Sequence, residues 1–149
     1  MKRTIIFLST LAIVSISVFA QTAHKPAAKP ATVSPAVNGK KIYTQYCLSC
    51  HQADGGGVQN MNPTLTGTQY VLGDKTRIIK IVLKGFNEPV EINEQTYTNA
   101  MPAFSYLKDK DIADVLTYIR SHFGNKASAV KTTEVTSIRV ALKNSGSKK

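Results

Sequence analysis

The residues most able to do chemistry in this chain form one short run, Cys47-Leu48-Ser49-Cys50-His51. These are the only two cysteines among the 149 residues. The Cys-x-x-Cys-His pattern is typical of covalent attachment of a c-type haem, with both thiols on one side of a helical turn and the histidine against the iron. We therefore predict that Cys47 and Cys50 attach one haem c and that His51 binds its iron.

Two other kinds of site could use these cysteines. A disulfide or a redox dithiol would suit an exported protein, but neither needs the adjacent histidine. A zinc site would need a fourth ligand, and the remaining histidines are His24, in a proline-rich stretch, and His122, near the end of a predicted helix. Haem attachment is therefore the favoured interpretation.

Beyond the attachment motif, the chain resembles class I cytochromes c. Pro63 lies twelve residues after His51, and Pro63, Leu65 and Gly67 match that family's Pro-x-Leu-x-Gly pattern. The resemblance implies that the Pro63 carbonyl accepts the proton of the second ring nitrogen of His51. It extends from about residue 38 to residue 125, with a weaker match over 133–139, and it is closest to small cytochromes that occur alone, with copper nitrite reductases or beside periplasmic dehydrogenases.

The sixth iron ligand is expected to be a methionine, and Met61 and Met101 are the candidates outside the leader. Pro102 biases Met101 toward an extended conformation, from which its side chain can project out of a loop. Met61 follows His51 by only ten residues and should lie on the histidine side of the ring. Class I cytochromes also use the position of Met101, so the resemblance favours this residue. The haem propionates could contact Tyr70, Arg77 or Tyr97.

The elements that must position these residues are predicted to be helical, which gives an all-α fold of three to four helices around one haem. Asn38 should cap a first helix over 39–50, and Gly55–Gly57 should end it. Asp74 and Gly85 should bound a second helix, although its β-branched residues leave a strand possible. Alternation over 88–98 predicts a small hairpin or an extended loop.

The clearest apolar periodicity predicts a helix over 109–123, which should pack against the first helix. Thr133 should cap a short helix in a C-terminal extension, residues 126–149, and the cytochrome domain should span 38–125. Two positions depart from the family pattern. Glu94 replaces a glycine that is common in a tight turn, and Lys108 replaces a common capping serine.

The N-terminus predicts export. Met1-Lys2-Arg3, the apolar run 5–19 and Val18-Phe19-Ala20 form a signal peptide over 1–20, with an uncleaved membrane anchor as the alternative. Residues 21–37 are rich in proline, alanine and lysine and should form a linker or a disordered leader. We therefore expect a periplasmic protein, associated with a membrane only if residues 1–20 are retained.

The charge of the chain favours acidic partners. It has 19 basic and 9 acidic side chains, and a formal charge of +8 remains without Lys2 and Arg3. Nucleic acid is excluded as a partner because the lysines are dispersed and lack interleaved aromatic residues. A basic surface near the haem edge could include six lysines, namely Lys40, Lys41, Lys80, Lys84, Lys108 and Lys110.

The expected function is one-electron transfer between a periplasmic donor and a terminal reductase or oxidase. Axial ligands from His51 and Met101 would leave no open position on the iron, so an enzyme is disfavoured. Two alternatives stay open. The protein could be a dedicated cytochrome subunit of a dehydrogenase or reductase complex, or a haem enzyme or gas sensor with a labile sixth ligand. Expected partners are redox proteins with acidic docking surfaces, such as a nitrite reductase, a dehydrogenase or an oxidase.

Overall fold

A computed structural model describes residues 34–146 of the protein. The predicted signal peptide and most of the predicted linker therefore lie outside the described residues. The elements in chain order are α1 (Pro35–Tyr46), α2 (Leu48–His51), α3 (Gln69–Leu72), α4 (Lys75–Lys84), β1 (Val90–Ile92), β2 (Gln95–Tyr97), α5 (Asp109–Ser121) and α6 (Thr132–Gly146). The all-α class is confirmed. The described chain has six helices where three to four were predicted, and two of these, α2 and α3, are single turns of four residues.

The first predicted helix differs from the structure at both ends. It begins at Pro35, because proline fits the first helical position, where no backbone N–H is needed. Asn38 is therefore not its cap. The Asn38 amide instead donates hydrogen bonds to Asp111 at 3.0 Å and Asp114 at 2.7 Å, both on α5. The helix also breaks at Cys47, where φ is −114° and ψ is −30°, before α2 begins.

Helix α4 confirms the prediction of a helix in preference to a strand. The Asp74 carboxylate accepts hydrogen bonds from the backbone N–H groups of Thr76 and Arg77, at 2.9 and 3.3 Å. These bonds satisfy N–H groups that the first turn of a helix leaves without partners. Gly85 ends the helix, as predicted.

The predicted hairpin is also present, with Val90 paired to Tyr97 and Ile92 to Gln95. Asn93 and Glu94 form its turn with φ values of 52° and 61°. Positive φ at both central residues matches the right-handed twist of the two strands. Glu94 thus adopts a backbone conformation that glycine favours, and the departure from the family pattern does not prevent the turn.

Helices α1 and α5 pack against each other, as predicted. Gly39 is buried against the backbone of Asp114, and a β-carbon at Gly39 would clash there. Tyr43 on α1 and Tyr118 on α5 bring their rings to a centroid separation of 5.6 Å. The absence of a side chain at Gly39 therefore allows the close approach that buries the aromatic residues.

The C-terminal helix is longer than predicted, and it begins one residue before its predicted cap. The Glu134 carboxylate accepts a hydrogen bond from the Lys131 backbone N–H at 2.6 Å, and Thr132 is the first helical residue. Thr133 is therefore inside the helix. The helix extends to Gly146. It packs against α4 and α5, and Val135 is fully buried. Within residues 34–146, no helix has the length and apolar character needed to cross a membrane.

Candidate haem site

A largely apolar cavity of about 330 Å³ lies among α1, α2, α4, α5 and the loops that follow α2 and β2. Its wall includes side chains that also form the hydrophobic core, among them Ile42, Ile78, Val82, Val115, Leu116 and Ile119. Its volume and its apolar lining therefore suit a large apolar group that completes the core.

Both predicted attachment cysteines line this cavity. Cys47 is partly buried at the break between α1 and α2, and Cys50 is exposed one helical turn later. Burial, together with the neighbouring Cys50, raises the pKa of Cys47 to about 12. A raised pKa makes the Cys47 thiol a poor nucleophile for redox exchange.

His51 also lines the cavity, and its ring is held by the predicted contact. Its Nδ1 lies 3.0 Å from the Pro63 carbonyl oxygen. Because a carbonyl only accepts, Nδ1 carries the proton and Nε2 keeps a free lone pair in the neutral ring. Burial lowers the pKa of His51 although the Pro63 carbonyl acts in the opposite direction, and the neutral form is therefore favoured. A neutral imidazole with one nitrogen free is a suitable iron ligand.

Asn125 fixes the loop that contains Pro63, a role that the sequence analysis did not identify. Its side-chain nitrogen donates to the carbonyls of Leu65 and Ile119 at 3.0 and 2.8 Å, and its oxygen accepts from the Gly67 N–H at 2.8 Å. Only 3% of Asn125 is exposed. Little in the sequence indicated this role, because Gly124-Asn125 is a typical end of a helix.

Met101 lines the cavity from a different part of the chain. It forms an antiparallel bridge with Phe86, in which each N–H donates to the other's carbonyl at 3.0 and 2.7 Å. Met61 is 50% exposed and does not line the cavity. Of the two candidate methionines, the structure thus brings Met101 into the cavity that Cys47, Cys50 and His51 share.

Gly85 allows the close approach that places Met101. Its φ of 76° and ψ of 179° lie in a region that only glycine readily adopts. A β-carbon there would lie 2.5 Å from the Met101 carbonyl oxygen. The bridge to Phe86 therefore depends on the absence of a side chain at Gly85.

Gly85→Ala should lower the free energy of unfolding by more than the ~1–3 kcal/mol expected for the backbone conformation alone, because Met101 must also move. Gly67→Ala is the matched control, since φ is also positive there, at 70°, but a β-carbon would meet nothing within 4 Å. Chemical denaturation of both variants measures the difference. Equal losses of stability would contradict the importance of the close approach.

The other residues singled out by sequence divide between the cavity and the surface. Tyr70 and Tyr97 line the cavity, whereas the Arg77 guanidinium lies over the Tyr70 ring at 5.0 Å from its centroid. His122 stacks on Tyr118 away from the cavity, and His24 lies outside the described residues. In residues 34–146, no group of three or more His, Cys, Asp or Glu side chains is arranged to hold a metal ion.

Comparison with known proteins agrees with this geometry. A family model described as "Cytochrome c" matches residues 36–123. The chain is 37% identical over 106 residues to the cytochrome c subunit of a quinone alcohol dehydrogenase from Gluconacetobacter polyoxogenes, covering 69% of this chain and 22% of that subunit. It is 34% identical over 92 residues to cytochrome c-552 of Thermus thermophilus, covering 59% of this chain and 70% of the relative.

A third relative is the gluconate 2-dehydrogenase cytochrome c subunit of Pantoea cypripedii, 35% identical over 105 residues. This match covers 68% of the chain and 24% of the subunit. The chain thus spans less than a quarter of the length of the dehydrogenase subunits to which it is similar.

Proposed function

Because the chain belongs to the cytochrome c family, we propose that it is a one-electron carrier that holds a single covalent haem c in the cavity described above. One observation carries this proposal: Cys47, Cys50, His51 and Met101 all line one apolar cavity. When bound, haem c supplies a one-electron couple between ferric and ferrous iron. The function of the chain itself is then to attach, ligate and shield this group.

Each of these side chains has a distinct task in the proposal. Cys47 and Cys50 form the two thioether bonds, and His51 offers the free Nε2 that the Pro63 contact leaves unprotonated. Met101 supplies a neutral thioether sulfur, which favours ferrous iron and raises the reduction potential. The apolar side chains of the wall would shield the bound group from water. With His51 and Met101 both bound to the iron, no position there would be open to a substrate, which suits electron transfer.

The test is a redox titration of the purified holoprotein, which should give a reversible single-electron transition. The reduced protein should pass its electron to an external acceptor without consuming peroxide or binding carbon monoxide rapidly. Rapid carbon monoxide binding by the unsubstituted protein would favour a haem enzyme or gas sensor instead.

A second candidate is a dedicated cytochrome subunit of a dehydrogenase complex. The similarity to the cytochrome c subunits of alcohol and gluconate dehydrogenases supports it. It differs from a free carrier in how long the complex lasts, and the chemistry at the haem is the same. Purification from the native source at native concentration separates the two, because a subunit elutes with its dehydrogenase and a free carrier elutes at its own mass.

The proposed partners are redox proteins with acidic docking surfaces, such as a dehydrogenase, a nitrite reductase or an oxidase. Lys80 and Lys84 are exposed and one turn apart on α4, whose residues Ile81 and Val82 line the cavity. Exposed lysines on a helix that also lines the cavity would attract an acidic partner to this part of the molecule. Their charges are screened over ~10 Å at 0.1 M salt, so the attraction should depend on ionic strength.

Replacing both Lys80 and Lys84 with glutamine should slow association with an acidic redox partner several-fold at low salt and reduce the dependence of the rate on salt. Stopped-flow kinetics over a range of ionic strength measures both effects. Lys131→Gln is the control, because Lys131 lies at the start of α6 and no residue of α6 lines the cavity. Identical salt dependence in the two variants would leave Lys80 and Lys84 with only a role in solubility.

We also propose that the protein is exported to the periplasm and that residues 1–20 are removed. The basic start, the apolar run and the Val18-Phe19-Ala20 site support this proposal. N-terminal sequencing of the mature protein should then begin at Gln21. An intact Met1 in a membrane fraction would support a retained anchor instead.

A further inference from the structure

One side chain of α6 reaches the loop that follows Met101. Arg139 donates hydrogen bonds to the carbonyls of Ser105 and Leu107, at 2.5 and 2.7 Å. Its Nε also donates to the Asp109 carboxylate at 2.6 Å. We refer to these three contacts as the Arg139 bridge. Helix α6 lies beyond residues 36–123, which the family model matches.

The loop from Met101 to Asp109 is thereby attached to two different helices. Its first half is attached to α4 and to Phe86, just beyond the end of α4. Met101 pairs with Phe86, and the Phe104 N–H donates to the Val82 carbonyl at 2.8 Å. Its second half is attached to α6 through the Arg139 bridge. Met101, Phe104 and Leu107 all line the cavity. Movement of the second half would therefore open the wall next to Met101.

The start of α5 shows how strongly the loop depends on α6. Lys108 occupies the cap position of α5 and makes no side-chain capping bond. Asp109, the first helical residue, directs its carboxylate to α6 instead, where Arg139 and the Thr136 hydroxyl both donate to it, each at 2.6 Å. The junction between loop and helix is thus held from outside by α6.

The ion pair within the Arg139 bridge is sheltered from solvent. The side chains of Arg139 and Asp109 are 19% and 23% exposed. Burial opposes ionisation of Asp109, but hydrogen bonds from Thr136 and Arg139 together with the charges of Arg139 and Lys143 outweigh burial and lower its pKa. The carboxylate is therefore ionised at neutral pH, and the arginine is always charged.

We propose that Arg139 is a positioning residue that keeps the loop closed over the cavity and so slows the displacement of Met101 from the iron. This inference rests on the proposed role of Met101 as the sixth ligand. A foreign ligand can bind only after the Met101 sulfur has left, and the sulfur can leave only when the loop moves outward. The Arg139 bridge opposes that movement at the end of the loop distant from Phe86.

The test measures cyanide binding to the ferric holoprotein at saturating cyanide, where the rate equals the rate at which Met101 leaves. Arg139→Met should raise this rate about tenfold or more, because charged hydrogen bonds to two carbonyls and a carboxylate are lost. The matched control is Lys75→Met. Lys75 also forms an ion pair with α6, to Glu134 at 3.2 Å, but it does not contact the loop. Its rate should stay within about twofold of the parent rate.

A more conservative pair of variants guards against loss of folding. Arg139→Lys keeps the charge but cannot reach all three acceptors, so its rate should fall between those of the parent and Arg139→Met. Thr136→Val removes one hydrogen bond to Asp109 without changing charge and should raise the rate several-fold. A thioether sulfur bonded to ferric iron gives a far-red charge-transfer band. In all variants, this band should keep its parent intensity before cyanide is added, because Met101 still binds when the loop is closed.

Three results would overturn the inference in different ways. If the parent protein shows the far-red band but Arg139→Met and Lys75→Met bind cyanide at the same rate, the Arg139 bridge does not control Met101. If the parent protein lacks that band, Met101 is not the ligand, and the proposed function of that residue fails together with this inference. A common acceleration that follows the loss of global stability would assign α6 a purely structural role.

Discussion

Met101→Ala should abolish the far-red charge-transfer band of the ferric protein, which arises from a thioether sulfur bonded to iron. The variant should also have a lower reduction potential, because water or hydroxide at the vacated position favours ferric iron more than sulfur does. Loss of the sulfur should in addition open the site to carbon monoxide in the reduced protein. The backbone of residue 101 should stay in place in the variant, because two hydrogen bonds to the Phe86 backbone hold it, so the effects report the loss of the sulfur itself.

Absorption spectra, a redox titration and carbon monoxide binding measure these three effects. Met61→Ala is the control and should leave all three unchanged. Because Met61 is 50% exposed, its truncation should cost less than about 1 kcal/mol of stability. A band that survives in Met101→Ala and disappears in Met61→Ala would refute the ligand assignment, together with the proposed role of the loop that follows Met101.

The second large effect concerns attachment. Replacing both Cys47 and Cys50 with alanine should give protein from which acidified acetone extracts all of the haem, because thioether bonds alone resist that treatment. The variant should also be much less stable, since a weakly held group no longer reliably fills the cavity. Each single replacement should leave one bond and therefore haem that resists extraction.

Extraction followed by spectroscopy of both fractions measures the outcome. Ser49→Ala is the matched control, because Ser49 lies between the two cysteines and also lines the cavity but has no thiol. Its haem should stay entirely with the protein. Haem that resists extraction from the double cysteine variant would show that the attachment site lies elsewhere.

The features best predicted from the sequence are those that depend on residues close together in the chain. Asp74 and Gly85 bound α4 as expected, because a carboxylate cap and a C-terminal glycine act on backbone groups within a few residues. The hairpin was also predicted, although Glu94 obscured its turn. The motif at Cys47 to His51 needed no tertiary information, since two residues on one helical turn share a side.

Sequence failed where a side chain acts on another part of the fold. Asparagine commonly caps helices, yet the Asn38 amide donates hydrogen bonds to two carboxylates on α5. No periodicity could reveal that Asn125 holds the loop carrying Pro63, or that Arg139 holds the loop after Met101. These contacts join residues that are separated by 30 or more positions in the chain.

The wall of the cavity and the hydrophobic core are made of the same side chains, and this has a consequence for how the protein can change. Ile78, Val82 and Leu116 belong to both. A substitution that alters their volume changes the packing of the fold and the polarity around the iron at the same time. The reduction potential and the stability of the fold are therefore not independent here, and a core substitution that changes one during evolution also changes the other. Variation that affects only electron affinity should accumulate instead in the loops, such as the one between β2 and α5.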